Sequence, residues 1–185
     1  MNLPNVITVT RILLIPVFIG LYMVQQGWSI FAASVLFALA ALTDWLDGYL
    51  ARRLNQTTPF GAFLDPVADK LIVVSALIVL VAYHSNMWLT LPGLVIVGRE
   101  IVISALREWM ADMDDSVAVA VSYLGKIKTT AQMIAITLLL AQPVGVESVY
   151  LQVAYVLLYL AAVMTLWSMW QYLGAAWSAL SRGLR

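Results

Sequence analysis

The chain has 185 residues, 63% of them hydrophobic and only 11% charged, with ten basic residues balancing ten acidic ones. So few charges cannot cover a water-facing surface, so an ordinary soluble domain is excluded. The complete lack of cysteine excludes disulfides and thiolate metal sites; a net charge of zero says nothing by itself, and no nucleic-acid partner is expected.

Apolar runs of about 20 residues, the length that crosses a hydrocarbon core, recur along the chain. They predict an all-α polytopic membrane protein, a single domain over residues 1–185 with six transmembrane helices. The spans are expected at Asn5–Val24, Ile30–Leu50, Gly61–Tyr83, Trp88–Met110, Leu124–Ala141 and Val149–Gly174. A single N-terminal signal peptide is a poor account of the opening segment, which contains Pro4, Arg11 and Pro16, is followed by no small-residue cleavage site and precedes five more apolar segments. The connections "QQGWS", "NQTTPF", "YHSNM", "ADMDDSVAVAVSY" and "QPVGVES" carry turn formers.

An even number of spans puts both termini on one side. Three connections, "QQGWS", "YHSNM" and "QPVGVES", contain no Lys or Arg, whereas Arg52, Arg53, Lys70, Arg107, Lys126, Lys128, Arg182 and Arg185 lie at or near the opposite ends. The positive-inside rule makes those ends, with both termini, cytoplasmic. Trp28, Trp88, Trp109 and Trp177 near span ends fit interfacial anchors. His84 falls on a connection assigned to the other side, as a surface residue.

Four aspartates interrupt this apolar chain where the second and third spans meet. Asp44 and Asp47 are three residues apart and Asp65 and Asp69 four apart, so each pair shares a helical face. Clustered carboxylates in a membrane repel and are costly to bury without compensation. Oxygen ligands without His or Cys suit Mg²⁺ or Mn²⁺, and two ions could share bridging oxygens. Solvated helix-end residues paired with Arg52, Arg53 and Lys70 would be the blander account. The small residues Gly48, Ala51 and Gly61 among them instead let a ligand or backbone approach closely. A transporter path is the other class to weigh, but it calls for polar residues at mid-membrane on several spans, and the last two offer little beyond Ser, Thr and Gln.

Written out, the stretch is Asp44-x2-Asp47-Gly48-x2-Ala51-Arg52-x8-Gly61-x3-Asp65-x3-Asp69. It resembles the signature of the CDP-alcohol phosphotransferases at every defined position. The resemblance implies a six-helix membrane enzyme, dimeric and metal-dependent, that moves a phosphatidyl or similar group from a CDP-linked donor to an alcohol and releases CMP. It implies metal ligation by Asp44, Asp47, Asp65 and Asp69, with Asp69 also the general base. Gly48, Ala51 and Arg52 would border the CDP moiety, with Thr58 and Gly61 beside them and the face bearing Asn5, Thr8 and Arg11 enclosing the nucleotide. Helix capping by Asn5 and headgroup contact by Arg11 are the alternatives on that face.

Outside the signature, "NLPNVITVTRILLIP", "GREIVISALREWMA" and "GKIKTTAQM" resemble the bacterial phosphatidylglycerophosphate synthases. That similarity implies CDP-diacylglycerol as donor and sn-glycerol 3-phosphate as acceptor, at the cytoplasmic face of a bacterial inner membrane. A phosphorylated acceptor brings about −1.5 to −2 charges that basic side chains should meet. Arg99, Arg107, Lys126 and Lys128 are the candidates. Arg99 sits near mid-span, where a bare guanidinium is costly and must line a polar cavity or pair with an anion. Structural pairing with Glu100 or Glu108 is the competing role for the arginines. Lys126 and Lys128 point to nearly opposite sides of a helix, so one at most touches substrate. Other acceptors (inositol phosphate, serine, phosphatidylglycerol) stay open within the same chemistry.

Overall fold

A computed structural model describes the backbone over residues 3–54, 58–112 and 123–183, and within those helices the side chains of residues 3–4, 44–54, 62, 107, 111–112, 123–126, 175–176 and 178–183 lie outside the description. The described residues form six helices: α1 (Leu3–Met23), α2 (Gly27–Leu54), α3 (Pro59–His84), α4 (Met87–Asp112), α5 (Tyr123–Leu140) and α6 (Val149–Gly183). Each expected span lies within one of them or overruns its end by a residue. Among the described residues, α1, α3, α4 and α6 contain stretches long and apolar enough to cross a membrane. Shorter apolar stretches, Gly27–Thr43 and Ile127–Leu140, lie in α2 and α5. The protein is an all-helical membrane protein.

Helix ends follow local chemistry. The turn before α3 is set by Thr58, whose extended backbone (φ −124°, ψ 150°) and hydroxyl cap the helix by accepting from the Gly61 N–H, with Pro59 at the first helical position. At its other end α3 runs through Tyr83 and His84 and stops at Ser85, which takes a left-handed conformation (φ 45°) and returns its N–H to the Val81 carbonyl. The expected loop is therefore shorter than its polar letters suggest. His84 belongs to α3 and lies 3.3 Å from the Tyr22 hydroxyl, so it is half-buried rather than a surface residue.

The core lies where α1, α2, α3, α5 and α6 converge. Phe18 of α1 meets Phe37 of α2 edge-to-face at 5.9 Å, and Tyr22 meets Tyr83 of α3 likewise at 5.5 Å. Ile72, Leu77 and Leu80 of α3, Ile136, Leu139 and Leu140 of α5 and Leu158 of α6 close the interior. Fully buried alanines, among them Ala33, Ala40, Ala76, Ala135 and Ala154, let the backbones approach, as helices in lipid require. Large apolar side chains such as Leu13, Phe31, Ile78, Leu94 and Val163 face outward, which is the normal outer surface of a protein solvated by acyl chains.

Two lengths position the site. α2 continues from Asp44 to Leu54, roughly 15 Å at 1.5 Å per residue, so the backbone position of Asp44 lies well below the helix end. α6 has 35 residues, about 52 Å, and overshoots the roughly 30 Å hydrocarbon core. Trp28 and Trp88 stand exposed at the end that holds His84, and Trp177 at the opposite end.

Candidate functional site

α1 lies against α3, both running in the same direction, and three polar rungs join them near the α3 N-terminus. On the first, the Thr58 hydroxyl lies 3.0 Å from Asn5 Nδ2, from which it accepts, and 3.1 Å from Asn5 Oδ1, to which it donates. On the second, Thr8 donates to Asp65 Oδ1 at 2.7 Å. On the third, Arg11 Nη1 donates to Asp69 Oδ1 at 2.6 Å. The α1 residues sit at i, i+3 and i+6, one face of a helix, and their α3 partners climb in step. A parallel packing with matched rise produces this register.

Burial differs sharply across the rungs. Arg11 is 1% exposed and Thr8 fully buried, whereas the Asp69 side chain is 43% exposed. The α1 groups are thus walled in, and the carboxylates they hold face an accessible space. This corrects the idea that Arg11 meets lipid headgroups: a guanidinium in an apolar helix needs an anion, and it has one in Asp69. Asn5 is likewise bound to Thr58 on α3 rather than serving as a local cap.

Gly61 has a specific reason to lack a side chain. A Cβ there would lie 2.6 Å from Asn5 Oδ1 and 3.2 Å from Thr58 Oγ1. The expectation was that a small residue here lets a ligand or a neighbouring backbone approach closely. In the structure it makes room for the α1–α3 junction that holds the carboxylates.

Other expected site residues are placed as follows. Asp44, Asp47, Gly48, Ala51 and Arg52 lie on the α2 backbone, with side chains outside the described residues, as are those of Arg107 on α4 and Lys126 on α5. Arg99 pairs with its neighbour Glu100, and its Nε is buried with no hydrogen-bond partner among the described residues. Lys128 is buried, 4% exposed, with Gln132 one turn along and also buried. Lys128 therefore does not project to headgroups. Sequence reasoning missed two contacts. Lys70, next to Asp69, donates to Ser104 of α4, and nothing in its spacing pointed there. Arg11 was seen as one of a polar face, but not as the partner of Asp69.

The donor set is consistent with a hard divalent cation. Asp65 and Asp69 stand one turn apart on α3 and supply only oxygen ligands, with each carboxylate steadied by a donor behind it. Among the described residues no three His, Cys, Asp or Glu side chains gather into a metal cluster. Asp44 and Asp47 would have to complete one from α2. An apolar groove of about 510 Å³ lies between α2 and α5, lined by Ala38, Leu42, Thr130, Met133 and Thr137, and begins less than a turn along α2 from Asp44.

Residues 1–167 match the family model described as CDP-alcohol phosphatidyltransferase. Among curated proteins, the chain is 57% identical over 181 residues to a Pseudomonas fluorescens protein named CDP-diacylglycerol--glycerol-3-phosphate 3-phosphatidyltransferase, covering 97% of this chain and 92% of that one. Proteins of the same name from Shigella flexneri serotype 5b and Escherichia coli K12 are each 52% identical over 176 residues, covering 95% of this chain and 94% of theirs.

Proposed function

The chain belongs to the CDP-alcohol phosphatidyltransferase family, and we propose that it transfers the phosphatidyl group of CDP-diacylglycerol to sn-glycerol 3-phosphate, releasing CMP. The observation that carries this reading is the pair of α3 carboxylates, Asp65 and Asp69, anchored from α1 and facing accessible space. Full-length identity to relatives bearing that name supports the choice of acceptor.

In the proposed reaction the acceptor hydroxyl oxygen attacks the phosphorus that carries diacylglycerol. The bond from that phosphorus to the bridging oxygen breaks, and CMP leaves with the electron pair. Asp69 accepts the hydroxyl proton, because an alcohol is a weak nucleophile and a carboxylate within hydrogen-bond reach is the natural base. Asp44, Asp47 and Asp65, with Asp69 beside them, would hold Mg²⁺ or Mn²⁺, as two ions in our reading. Bound there, the metal neutralises charge on the transferring phosphoryl oxygens and the leaving group. Arg52, Gly48 and Ala51 border the CDP moiety, Asn5, Thr8, Thr58 and Gly61 form the wall behind it, and the α2–α5 groove seats an acyl chain. Arg99, Arg107 and one of Lys126 and Lys128 meet the acceptor phosphate.

We further read all six helices as spans, both termini and the site as cytoplasmic, the membrane as a bacterial inner membrane and the assembly as a homodimer. The deciding experiment follows CMP release by purified protein with CDP-diacylglycerol and Mg²⁺ over a panel of acceptors: glycerol 3-phosphate, serine, inositol, inositol phosphate and phosphatidylglycerol. CMP only with glycerol 3-phosphate, abolished by chelation and restored by Mg²⁺ or Mn²⁺, is expected. CMP with a different alcohol would keep the chemistry and overturn the assignment of the basic residues. No CMP from folded protein would sink the reading and return a transporter to consideration.

A further inference from the structure

Polar side chains gather a second time at the opposite end of α3 from the carboxylates. His84 lies about 22 Å of helix beyond Asp69, at about 1.5 Å per residue. There a pocket of about 370 Å³ is lined by His84, Asn86, Glu147, Ser148, Gln152 and Tyr155, a volume in the range of small-ligand sites. Gly145, at φ 80°, turns the chain around it. Asn86 Nδ2 donates to the Tyr155 hydroxyl at 3.4 Å, and Ser148 accepts from the Leu151 N–H at 3.1 Å, which fixes the start of α6 at the pocket. An apolar groove of about 360 Å³ continues along α6, lined by Tyr155, Val156, Tyr159, Leu160 and Val163. These residues fall on one helical face, and Tyr155 belongs to both hollows. A polar socket at the end where Trp28 and Trp88 stand exposed therefore leads into an apolar channel about 12 Å long, running toward the depth of acyl chains.

Charge selects what fits. Glu147 is the only Asp, Glu, Lys or Arg between Lys128 and Arg182, and neither 12–43 nor 71–98 holds one. One carboxylate, with no basic residue nearby in any of these stretches, sets the sign of this end. It repels an anionic headgroup and attracts an ammonium. The acceptor oxygens of Glu147, Ser148 and Gln152 suit the N–H groups of a primary ammonium, whereas a quaternary one seeks an aromatic cage, and only Tyr155 and His84 supply rings here. The geometry points to a binding site for a glycerophospholipid with a primary-amine headgroup. Its ammonium lies on Glu147, its phosphate at the α6 N-terminus and one acyl chain along Tyr155–Val163. This lipid is neither donor nor product of the proposed reaction, since both of those are anionic and react at the other end.

Full-length protein in mild detergent, given lipids with identical acyl chains, tests this. Native mass spectrometry reads the retention of phosphatidylethanolamine, phosphatidylglycerol and phosphatidylcholine. A phosphatidylethanolamine with a diazirine in one chain maps the groove by crosslinking. One phosphatidylethanolamine should be held several times more tightly than either other lipid, with crosslinks on residues 155–163. Glu147→Gln should cut its preference over phosphatidylglycerol by about threefold, the worth of an exposed ion pair, and Glu147→Lys should reverse the preference. Val156→Trp, at an exposed position, fills the groove and should remove the crosslinks. Equal retention of the three lipids, or a preference untouched in both Glu147 variants, overturns the proposal. So do crosslinks elsewhere, or displacement of the lipid by glycerophosphoethanolamine, which carries the head without the tails. A change of oligomeric state in Val156→Trp would give the groove to a second copy of the chain and overturn it equally. CMP release enters none of these readouts, so they stand whatever the fate of the proposed reaction.

Discussion

Gly61→Ala puts a number on the α1–α3 junction. The added Cβ would stand 2.6 Å from Asn5 Oδ1, closer than such atoms come, so Asn5 must move. Its amide is 7% exposed and both its polar atoms lie on the Thr58 hydroxyl, so moving it breaks the rung. Losing that bonding and leaving a buried amide unsatisfied costs about 1–3 kcal/mol. Alanine in place of glycine in a helix returns up to about 1 kcal/mol. The net expectation is a loss of roughly 1–2 kcal/mol, read by unfolding in mixed micelles, with a parallel fall in CMP release because Asp65 begins one turn after Gly61. In an Asn5→Ala background the obstruction is gone. There the second contact, Thr58 Oγ1 at 3.2 Å, asks only for a small adjustment, and Gly61→Ala should become neutral or stabilising. The coupling between the two sites should therefore be about 2 kcal/mol, within the range for touching residues. Additivity to within about 0.5 kcal/mol would refute the idea that Gly61 is glycine on account of Asn5.

Asp69→Asn keeps an oxygen that can accept from Arg11 but takes a carboxylate from that buried guanidinium, so it should cost stability, and in protein shown to be folded it should lower turnover by at least about 10²-fold. Activity above about a tenth of wild type would remove Asp69 from the base role. Arg99→Ala should raise the KM for glycerol 3-phosphate by about 10-fold or more, the worth of a charged hydrogen bond, and leave that for CDP-diacylglycerol unchanged. Equal losses on both substrates would assign Arg99 to its pairing with Glu100 alone.

The helices were legible because a bilayer demands one composition over a fixed length, and short turns between runs mark where it stops. His84 was misplaced for a related reason. His-Ser-Asn reads as a turn, but a helix is ended by a backbone conformation, and here that falls at Ser85. That Asp65 and Asp69 share a face of α3 was legible from their i, i+4 spacing. Their partners were not. Arg11 and Asp69 are separated by 58 residues, and which polar face of α1 meets which face of α3 depends on helix rotation, set by the packing of Phe18, Tyr22 and their neighbours. A lone arginine in a span says that an anion exists, without saying which. Gly61 shows the same limit: small size was visible, and the neighbour that needs it came from another helix.

Asp44 lies about 15 Å of helix below the end of α2, and the groove beginning beside it leads deeper still. On the proposed chemistry, the reacting phosphorus can stay at headgroup level while its acyl tails stay in the leaflet. Lifting a lipid with two chains of about sixteen carbons into water would cost roughly 25 kcal/mol, at about 0.8 kcal/mol per methylene. No known binding surface on a protein of this size could supply that at each turnover. By sinking its carboxylates to the depth of the substrate, the protein turns a problem of solubility into one of two-dimensional diffusion. Donor and product then exchange sideways through the bilayer, and only the small water-soluble partners, the acceptor and CMP, cross between phases.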